Sequence, residues 1–197
     1  MNKQLTFVKQ KNTPLVYVIH KHDATSLHYD FRLEIGGVMP SWAIPKGPTL
    51  DNTLKRLAMQ TTDHSMEYRN FEGVISEGKY GAGPVMIWDE GIYYPEIEVA
   101  KGVRERIEDR EQGLVTMKEG LKKGELKFFL KGKKLQGSFA LVKTKAMSAG
   151  RQGFGGPKAW LMIKHKDEFV KPNYSAHEYD FSAVSKKSLD DIRKVPS

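Results

Sequence analysis

From Leu27 to Glu34, in "LHYDFRLE", apolar and polar side chains alternate one for one. Leu27, Tyr29, Phe31 and Leu33 fall on one side, and His28, Asp30, Arg32 and Glu34 on the other. Successive side chains of a strand point to opposite faces, so this alternation demands a strand with one face in a core. It excludes a helix, whose apolar positions recur every three to four residues. The polar side carries the second constraint. In place of the usual Lys, Thr, Glu and Ser it presents an imidazole, a carboxylate and a guanidinium at i, i+2 and i+4. His22 stands six residues upstream of the first of these.

The rest of the chain is organised around similar strands. "LVYVIHKHD" (15–23) and "SLHYDFRLEI" (26–35) bracket a short turn, and Gly36-Gly37 ends the second strand with a hairpin signal. "VMPSWAIPKGP" (38–48) is cut by Pro45 and Pro48, and "LKRLAMQTTD" (54–63) reads as another strand. "GPVMIWDEGIYYPEIEV" (83–99) is expected to be two strands turning at Asp89-Glu90-Gly91. Leu114, Met117 and Leu121 in 113–124 are spaced for a short amphipathic helix. Residues 124–145 read as a hairpin turning near Gly132-Lys133, 150–157 as a loop, and 159–166 as a final strand. Ser188 caps a short helical signal in "LDDIRKV". The glycine cluster "GKYGAGP" (78–84) lacks the strand-to-helix setting of a phosphate-cradling turn. Many short strands and few helices predict a mainly β chain, a compact β-barrel with a few flanking short helices. The expected organisation is one domain over 1–197, with an N-terminal arm (1–14) and a loosely held tail (182–197) containing Leu189, Ile192 and Val195 as its apolar anchors. The rings of Trp42 and Trp88 are expected in the core.

Composition narrows the chemistry. The chain has no cysteine, so disulfides and thiolate metal sites are excluded, and histidine with carboxylate is the remaining metal-binding vocabulary. No apolar run is long enough to span a membrane, and "MNKQLTFVKQ" lacks a signal-peptide core, so a cytoplasmic protein is expected. The net charge of +8 is unevenly placed: the balance is −2 over residues 1–98 and +10 over 99–197. Between Lys122 and Lys145 eight lysines face one acid, Glu125. Such a block is either a footprint for a polyanion such as nucleic acid or a solvated face that maintains solubility.

Four of the six histidines lie between positions 20 and 64. If strands 15–23 and 26–35 pair as a hairpin, His22, His28 and Asp30 converge as an open site for a divalent ion such as Mn²⁺ or Zn²⁺. Arg32, one strand step beyond Asp30, is suited to bidentate contact with a phosphate. A metal beside an arginine favours phosphoryl chemistry. His64, in "TDHSMEY", is a candidate acid or base, and Tyr68 offers a hydroxyl. The competing reading makes these hydrogen-bonded structural histidines and a surface Asp30–Arg32 ion pair.

At these same residues the chain resembles a known family. "HKHDATSLHYDFRLEIGGVMPSWAIPKGPTLD" and "DHSMEYRNFEGVISEGKYGAGPVMIWDEG" closely resemble the 3′-phosphoesterase module of bacterial and archaeal non-homologous end-joining DNA ligase D, over residues 15–91. Weaker echoes occur in "LQGSFALVKTK" and "AWLMIKHKDEF". No ligase or polymerase sequence accompanies them, so a stand-alone member is expected. The resemblance implies a β-barrel core and a Mn²⁺-dependent hydrolase, with Zn²⁺ or Co²⁺ as other candidate metals. Its expected action on DNA 3′ ends is to remove a terminal ribonucleotide by phosphodiester cleavage and then the remaining 3′-phosphate.

By motif match His22, His28 and Asp30 correspond to metal ligands. Arg32 and His64 correspond to the groups holding the scissile phosphate, and Tyr68 to a supporting tyrosine. Among the catalytic residues the match places Arg32, His64, Tyr68 and His28; Lys46 and Arg56 match basic positions that meet the substrate phosphate. The implied partners are DNA primer-template 3′ ends with ribonucleotide or phosphate termini, a DNA ligase or polymerase, and a Ku-like protein. The chain departs from the family pattern at His20, where Gln is usual, at Thr62, where an acid is usual, and at Ser65, where Pro is usual. Its N-terminal arm carries Lys9 and Lys11 and no Arg-acid pair that can be placed, which ranks phosphodiester cleavage ahead of phosphate removal. The alternatives are a non-catalytic DNA-end-binding module of the same fold, which His20 and Thr62 make conceivable, and a metallo-phosphoesterase acting on RNA or a small nucleotide.

Overall fold

The protein is described by a computed structural model covering residues 13–144, 156 and 158–194. Lys9 and Lys11 of the arm, Lys145, Val195 and most of the expected 150–157 loop lie outside the described residues. Twelve strands are formed among them: β1 (Leu15–Asp23), β2 (Leu27–Leu33), β3 (Val38–Met39), β4 (Ser41–Ile44), β5 (Lys55–Gln60), β6 (His64–Ser65), β7 (Gly73–Ile75), β8 (Gly83–Ala100), β9 (Val103–Arg106), β10 (Glu125–Gly132), β11 (Gln136–Lys143) and β12 (Ala159–Lys164). Two α-helices join them, α1 (Arg110–Lys123) and α2 (Leu189–Arg193), with single 3₁₀ turns at Met66–Asn70 and Ala176–Glu178.

The main sheet runs β1-β2-β4-β5-β12-β11-β10-β8, and β8 pairs back onto β1, closing an antiparallel barrel of eight strands. Closure leaves these strands no free edge. β7 and β9 add to β8 outside the ring, and β3 pairs with β6 as a separate two-stranded sheet. An eight-stranded barrel is just wide enough for side chains to fill it, and aromatic rings do so here. Phe31 of β2 stacks on Phe128 of β10 with centroids 5.6 Å apart, and Trp42 meets Trp160 edge-on at 5.6 Å. Trp42, Trp88 and Trp160 are all buried in the core.

β8 is one strand of eighteen residues, where the sequence suggested two strands turning at Asp89-Glu90-Gly91. Glu90, Gly91 and Ile92 pair with β1, and Gly91 and Ile92 also with β10. A Cβ at Gly91 would stand 2.2 Å from the Lys131 carbonyl oxygen, so this glycine serves close backbone approach. The register between β1 and β8 shifts between Ile19 and His20, which leaves the consecutive Trp88 and Asp89 both buried. β9 escaped the sequence reading, and α1 begins at Arg110, capped by the Asp109 side chain on the Gln112 N–H.

The stretch after Phe181, expected to be loosely held, packs Leu189 and Ile192 into the core cluster. The Ala183 N–H donates to the Ile87 carbonyl, and Ser188 and Asp191 form a reciprocal cap on α2.

Asp89 pins the β10–β11 turn to the barrel. Its carboxylate accepts from Tyr17 Oη (2.7 Å) and from the backbone N–H groups of Lys133, Lys134 and Leu135 (2.9, 2.9 and 3.0 Å). Burial pushes its pKa up, and these donors oppose the rise. Asp89→Ala strands four donors, so it should lower unfolding free energy by at least about 3 kcal/mol in urea titrations. Asp89→Asn keeps acceptor oxygen and should lose less.

Candidate active site

A filled barrel interior decides where the polar face of "LHYDFRLE" goes. Tyr29, Phe31 and Leu33 take the inside with Tyr17 and Ile19, so His28, Asp30 and Arg32 face outward from the wall. The structure places this polar face on the outer surface of the barrel, because the interior is occupied by rings. Antiparallel pairing sets His22 opposite His28, His20 opposite Asp30 and Val18 opposite Arg32, all on one face. A roof covers part of it. β3 and β6 bring His64 opposite Met39, and Val18, Ile87, Met39 and Met66 form a small second apolar cluster. Tyr68 arrives on the 3₁₀ turn that follows β6.

His22, His28 and Asp30 each offer a ligand atom, and the three atoms lie within 4.8 Å of one another. Each imidazole is oriented by a backbone carbonyl: His22 Nε2 lies 2.8 Å from the Gly81 oxygen, and His28 Nδ1 2.8 Å from the Ser26 oxygen. A carbonyl only accepts, so these nitrogens carry the hydrogens, and a neutral ring then presents its lone pair on His22 Nδ1 and His28 Nε2. Those are the atoms that approach the Asp30 carboxylate, at 3.9 and 3.6 Å. Burial acting alone would raise the Asp30 pKa. The adjacent His22 and His28 rings and the charge of Arg32, which donates to it, overturn this and hold it well below the usual carboxylate range. Two imidazole nitrogens and an ionised carboxylate fit a divalent transition ion and leave positions for other ligands.

Arg32 is buried, and four of its five N–H hydrogens have partners in the patch. Nε donates to His20 Nδ1 (3.1 Å), Nη1 to Ser41 Oγ (2.8 Å) and His64 Nδ1 (2.7 Å), and Nη2 to Asp30 Oδ2 (3.0 Å). The Tyr68 ring lies against its guanidinium at 5.1 Å and is itself stacked on Phe71. Guanidinium has no acceptor, so the nearer His64 nitrogen, Nδ1 at 2.7 Å against 3.3 Å for Nε2, receives the bond, and a neutral His64 then carries its hydrogen on Nε2. Burial, then the Arg32 charge, lower the His64 pKa and favour that neutral form. With Nε2 protonated, His64 is arranged as a hydrogen-bond donor and not as a base. His20 is also kept neutral, its pKa lowered to about 3 by burial and by Arg32.

The structure thus joins His22, His28, Asp30, Arg32, His64 and Tyr68 in one patch. His20 belongs to it as a partner of Arg32 and lies outside the three-residue ligand group. The other two basic candidates are elsewhere. Lys46 is exposed in the turn after β4. Arg56 on β5 lies by Asp51, whose carboxyl is held low by hydrogen bonds from Thr53 and Asn173 and by the Arg56 charge. No contact joins either to the patch among the described residues. The described lysines of the 122–145 block sit on α1, β10, β11 and the turn between the two strands, on the arc of the barrel away from β2. Lys127 and Lys133 are paired with Glu98 and Glu90. Ser41 and Gly81 were missed. Ser41 lies opposite Arg32 only once β2 and β4 are paired, and the "GKYGAGP" glycines support His22 without forming a phosphate cradle.

Titrating the protein with Mn²⁺, Zn²⁺ or Co²⁺ should raise its melting temperature, and Asp30→Ala should abolish the rise. A Cβ at Gly81 would sit 3.3 Å from His22 Cε1 on a backbone with φ of +75°. Gly81→Ala should therefore weaken metal binding about tenfold or more by calorimetry. In metal-free protein, an unfolded chain takes a proton on His20 near pH 6.5 while the folded chain refuses it down to about 3. Stability should fall by about 2 kcal/mol from this group alone between pH 6.5 and 5. His28 is raised, chiefly by its hydrogen bond to Asp30, and works in the opposite direction, so the comparison is with His20→Gln, whose denaturation free energy should fall less steeply with acid.

The sequence matches the profile of the DNA Ligase D 3′-phosphoesterase domain over residues 20–143. It is 43% identical over 153 residues to the "Multifunctional non-homologous end joining protein LigD" of Pseudomonas aeruginosa, covering 78% of this chain and 15% of that protein. It is 38% identical over 152 residues to the protein of the same name from Mycolicibacterium smegmatis, covering 77% of this chain and 17% of that one. To the Mycobacterium tuberculosis "Multifunctional non-homologous end joining DNA repair protein LigD" it is 52% identical over 77 residues, 39% of this chain and 10% of the other. The chain therefore spans about a sixth of the length of the relatives it matches most fully. The matched span holds every strand that builds the outward patch, from His22 on β1 through His64 on β6 to the loop of Gly81, and on that span the chain belongs to the DNA ligase D 3′-phosphoesterase domain family.

Proposed function

We propose that this protein is a divalent-metal-dependent phosphoesterase that processes DNA 3′ ends in repair, removing a 3′-terminal ribonucleotide and, secondarily, the 3′-phosphate left behind. The observation that carries this reading is the sharing of Asp30. One carboxylate faces His22 and His28 and also binds Arg32 Nη2 at 3.0 Å. A phosphate held by Arg32 and His64 would then lie beside the ligand group.

Bound there, Mn²⁺ would polarise a phosphate oxygen and lower the pKa of a coordinated water. The chain's own residues supply the rest. The remaining Arg32 Nη2 hydrogen and the His64 Nε2–H are donors for the non-bridging oxygens, where charge develops during displacement. Four bonds fix the guanidinium in advance, so little reorganisation is needed when substrate arrives. Tyr68 braces both donors, its ring 4.9 Å from that of His64. Hydrolysis of a terminal ribonucleotide forms a bond from water oxygen to phosphorus and breaks the one to the 5′ oxygen of the leaving nucleoside. It leaves a 3′-phosphate. The family membership and the resemblance of the patch to the family pattern support this order of events, as does the name shared by the relatives for the repair setting.

The test is a gel assay on labelled primer-template DNA ending in one 3′ ribonucleotide, with EDTA, Mg²⁺, Mn²⁺, Zn²⁺ or Co²⁺. The expected result is shortening by one nucleoside with metal only, and a loss of about 100-fold or more in rate for Asp30→Ala and His64→Ala. An end that is bound and never cut under any metal would overturn the reading in favour of a DNA-end-binding module. Cleavage of an all-RNA strand or a mononucleotide in preference would redirect it to another phosphoesterase substrate.

A further inference from the structure

Between β7 and β8 runs the loop of residues 76–82, whose base is fastened to the ligand hairpin twice. The Gly81 carbonyl accepts from His22. Gly83 is pressed so closely on the β1–β2 turn that a Cβ there would meet the Asp23 oxygen at 2.0 Å. Two successive tight turns shape the loop, Lys79 N–H to the Ser76 carbonyl at 3.3 Å and Ala82 N–H to the Lys79 carbonyl at 3.1 Å. Gly78 and Gly81 supply the positive φ angles, +81° and +75°. The loop therefore holds its shape against the metal-site hairpin.

Its tip carries Tyr80, which is fully exposed and has no hydrogen bond, ring contact or cation partner among the described residues. In the free protein this ring buries no apolar area and makes no aromatic contact. Other exposed large apolar side chains, among them Ile97, Val99 and Val103 on the β8–β9 ribbon and Val115 on α1, are away from the ligand hairpin. Tyr80 alone stands next in sequence to a residue that bonds a ligand histidine, its Cα about 3.8 Å from that of Gly81.

We propose that Tyr80 is the stacking platform for the 3′-terminal nucleoside, the one that leaves on cleavage. This rests on the function proposed above and adds a recognition element to it. A phosphate beside Asp30 would carry its nucleoside next to the hairpin at which Gly81, the neighbour of Tyr80 in the chain, bonds His22. Every base has a π-face, so a stacked ring accepts any terminal base without reading its identity. The same geometry separates the two substrates: an end with a terminal nucleoside engages Tyr80, and an end bearing only a 3′-phosphate does not.

The experiment places 2-aminopurine riboside at the 3′ terminus of the primer and follows its fluorescence on rapid mixing with Mn²⁺-loaded protein, alongside steady-state KM and kcat. The parent protein and Tyr80→Phe should quench the probe before cleavage. Tyr80→Ala should lose the quench and raise KM about tenfold for the nucleoside end, with kcat and the KM for a 3′-phosphate end unchanged. If Tyr80→Ala quenches and binds as the parent does, the stacking role is overturned and the function it rests on stands. Equal losses on both ends would also overturn it, showing that the loop merely supports His22. If the parent protein neither binds nor cuts either end, the phosphoesterase reading itself falls and the stacking role falls with it.

Discussion

The Arg32 guanidinium is the hinge on which the site turns. A permanent cation with a side chain only 3% exposed is costly to hold unless its donors are met. Here four of the five are met, by side chains from four strands: His20 of β1, Asp30 of β2, Ser41 of β4 and His64 of β6. Their consequences spread outward. Asp30 stays ionised, His64 is held in the tautomer that presents Nε2–H, and His20 stays neutral because it is buried and a protonated ring would also face the guanidinium. The patch behaves as one electrostatic unit, and a change at one member is felt at the others.

Around this unit the supports are mostly backbone. The carbonyls of Ser26 and Gly81 aim the two imidazoles of the candidate metal group, so its geometry depends on a turn and a glycine loop as much as on the histidines. The C-terminal segment braces the same region from outside. Glu72 accepts from Ser182 Oγ (2.6 Å) and the Ile87 N–H (3.0 Å), the Tyr179 carbonyl accepts from the Trp88 indole, and Arg193 pairs with Asp23 at the β1–β2 turn. Chain far from the motif in sequence thus fastens the strands that carry it.

Much of this was legible in the residues. The alternation of "LHYDFRLE" announced its strand, and the same pattern singled out His22, His28 and Asp30 as a set that a hairpin would close. His64 and Tyr68 were candidates from their side-chain chemistry, and the family resemblance assigned them places beside the phosphate. Harder to read were features that depend on a second chain segment. Gly91 looks like a turn residue until the Lys131 carbonyl is seen beside it. Ser41 is an ordinary strand serine until β2 and β4 pair. Arg56 matched a substrate-facing position by motif, yet lies by Asp51 on a strand separated from β2 by β4.

The sequence by itself determined the hairpin of β1 and β2, its buried face and the chemical vocabulary of the patch, since each follows from side-chain type and a two-residue period. Tertiary structure alone decided which way the patch faces and how its groups are protonated. The reason is physical in both cases. Whether a polar strand face lines a cavity or an outer wall depends on what fills the barrel, and here stacked rings from opposite strands fill it. Whether a histidine donates or accepts depends on its immediate partner, and for His64 that partner is a guanidinium that can only donate.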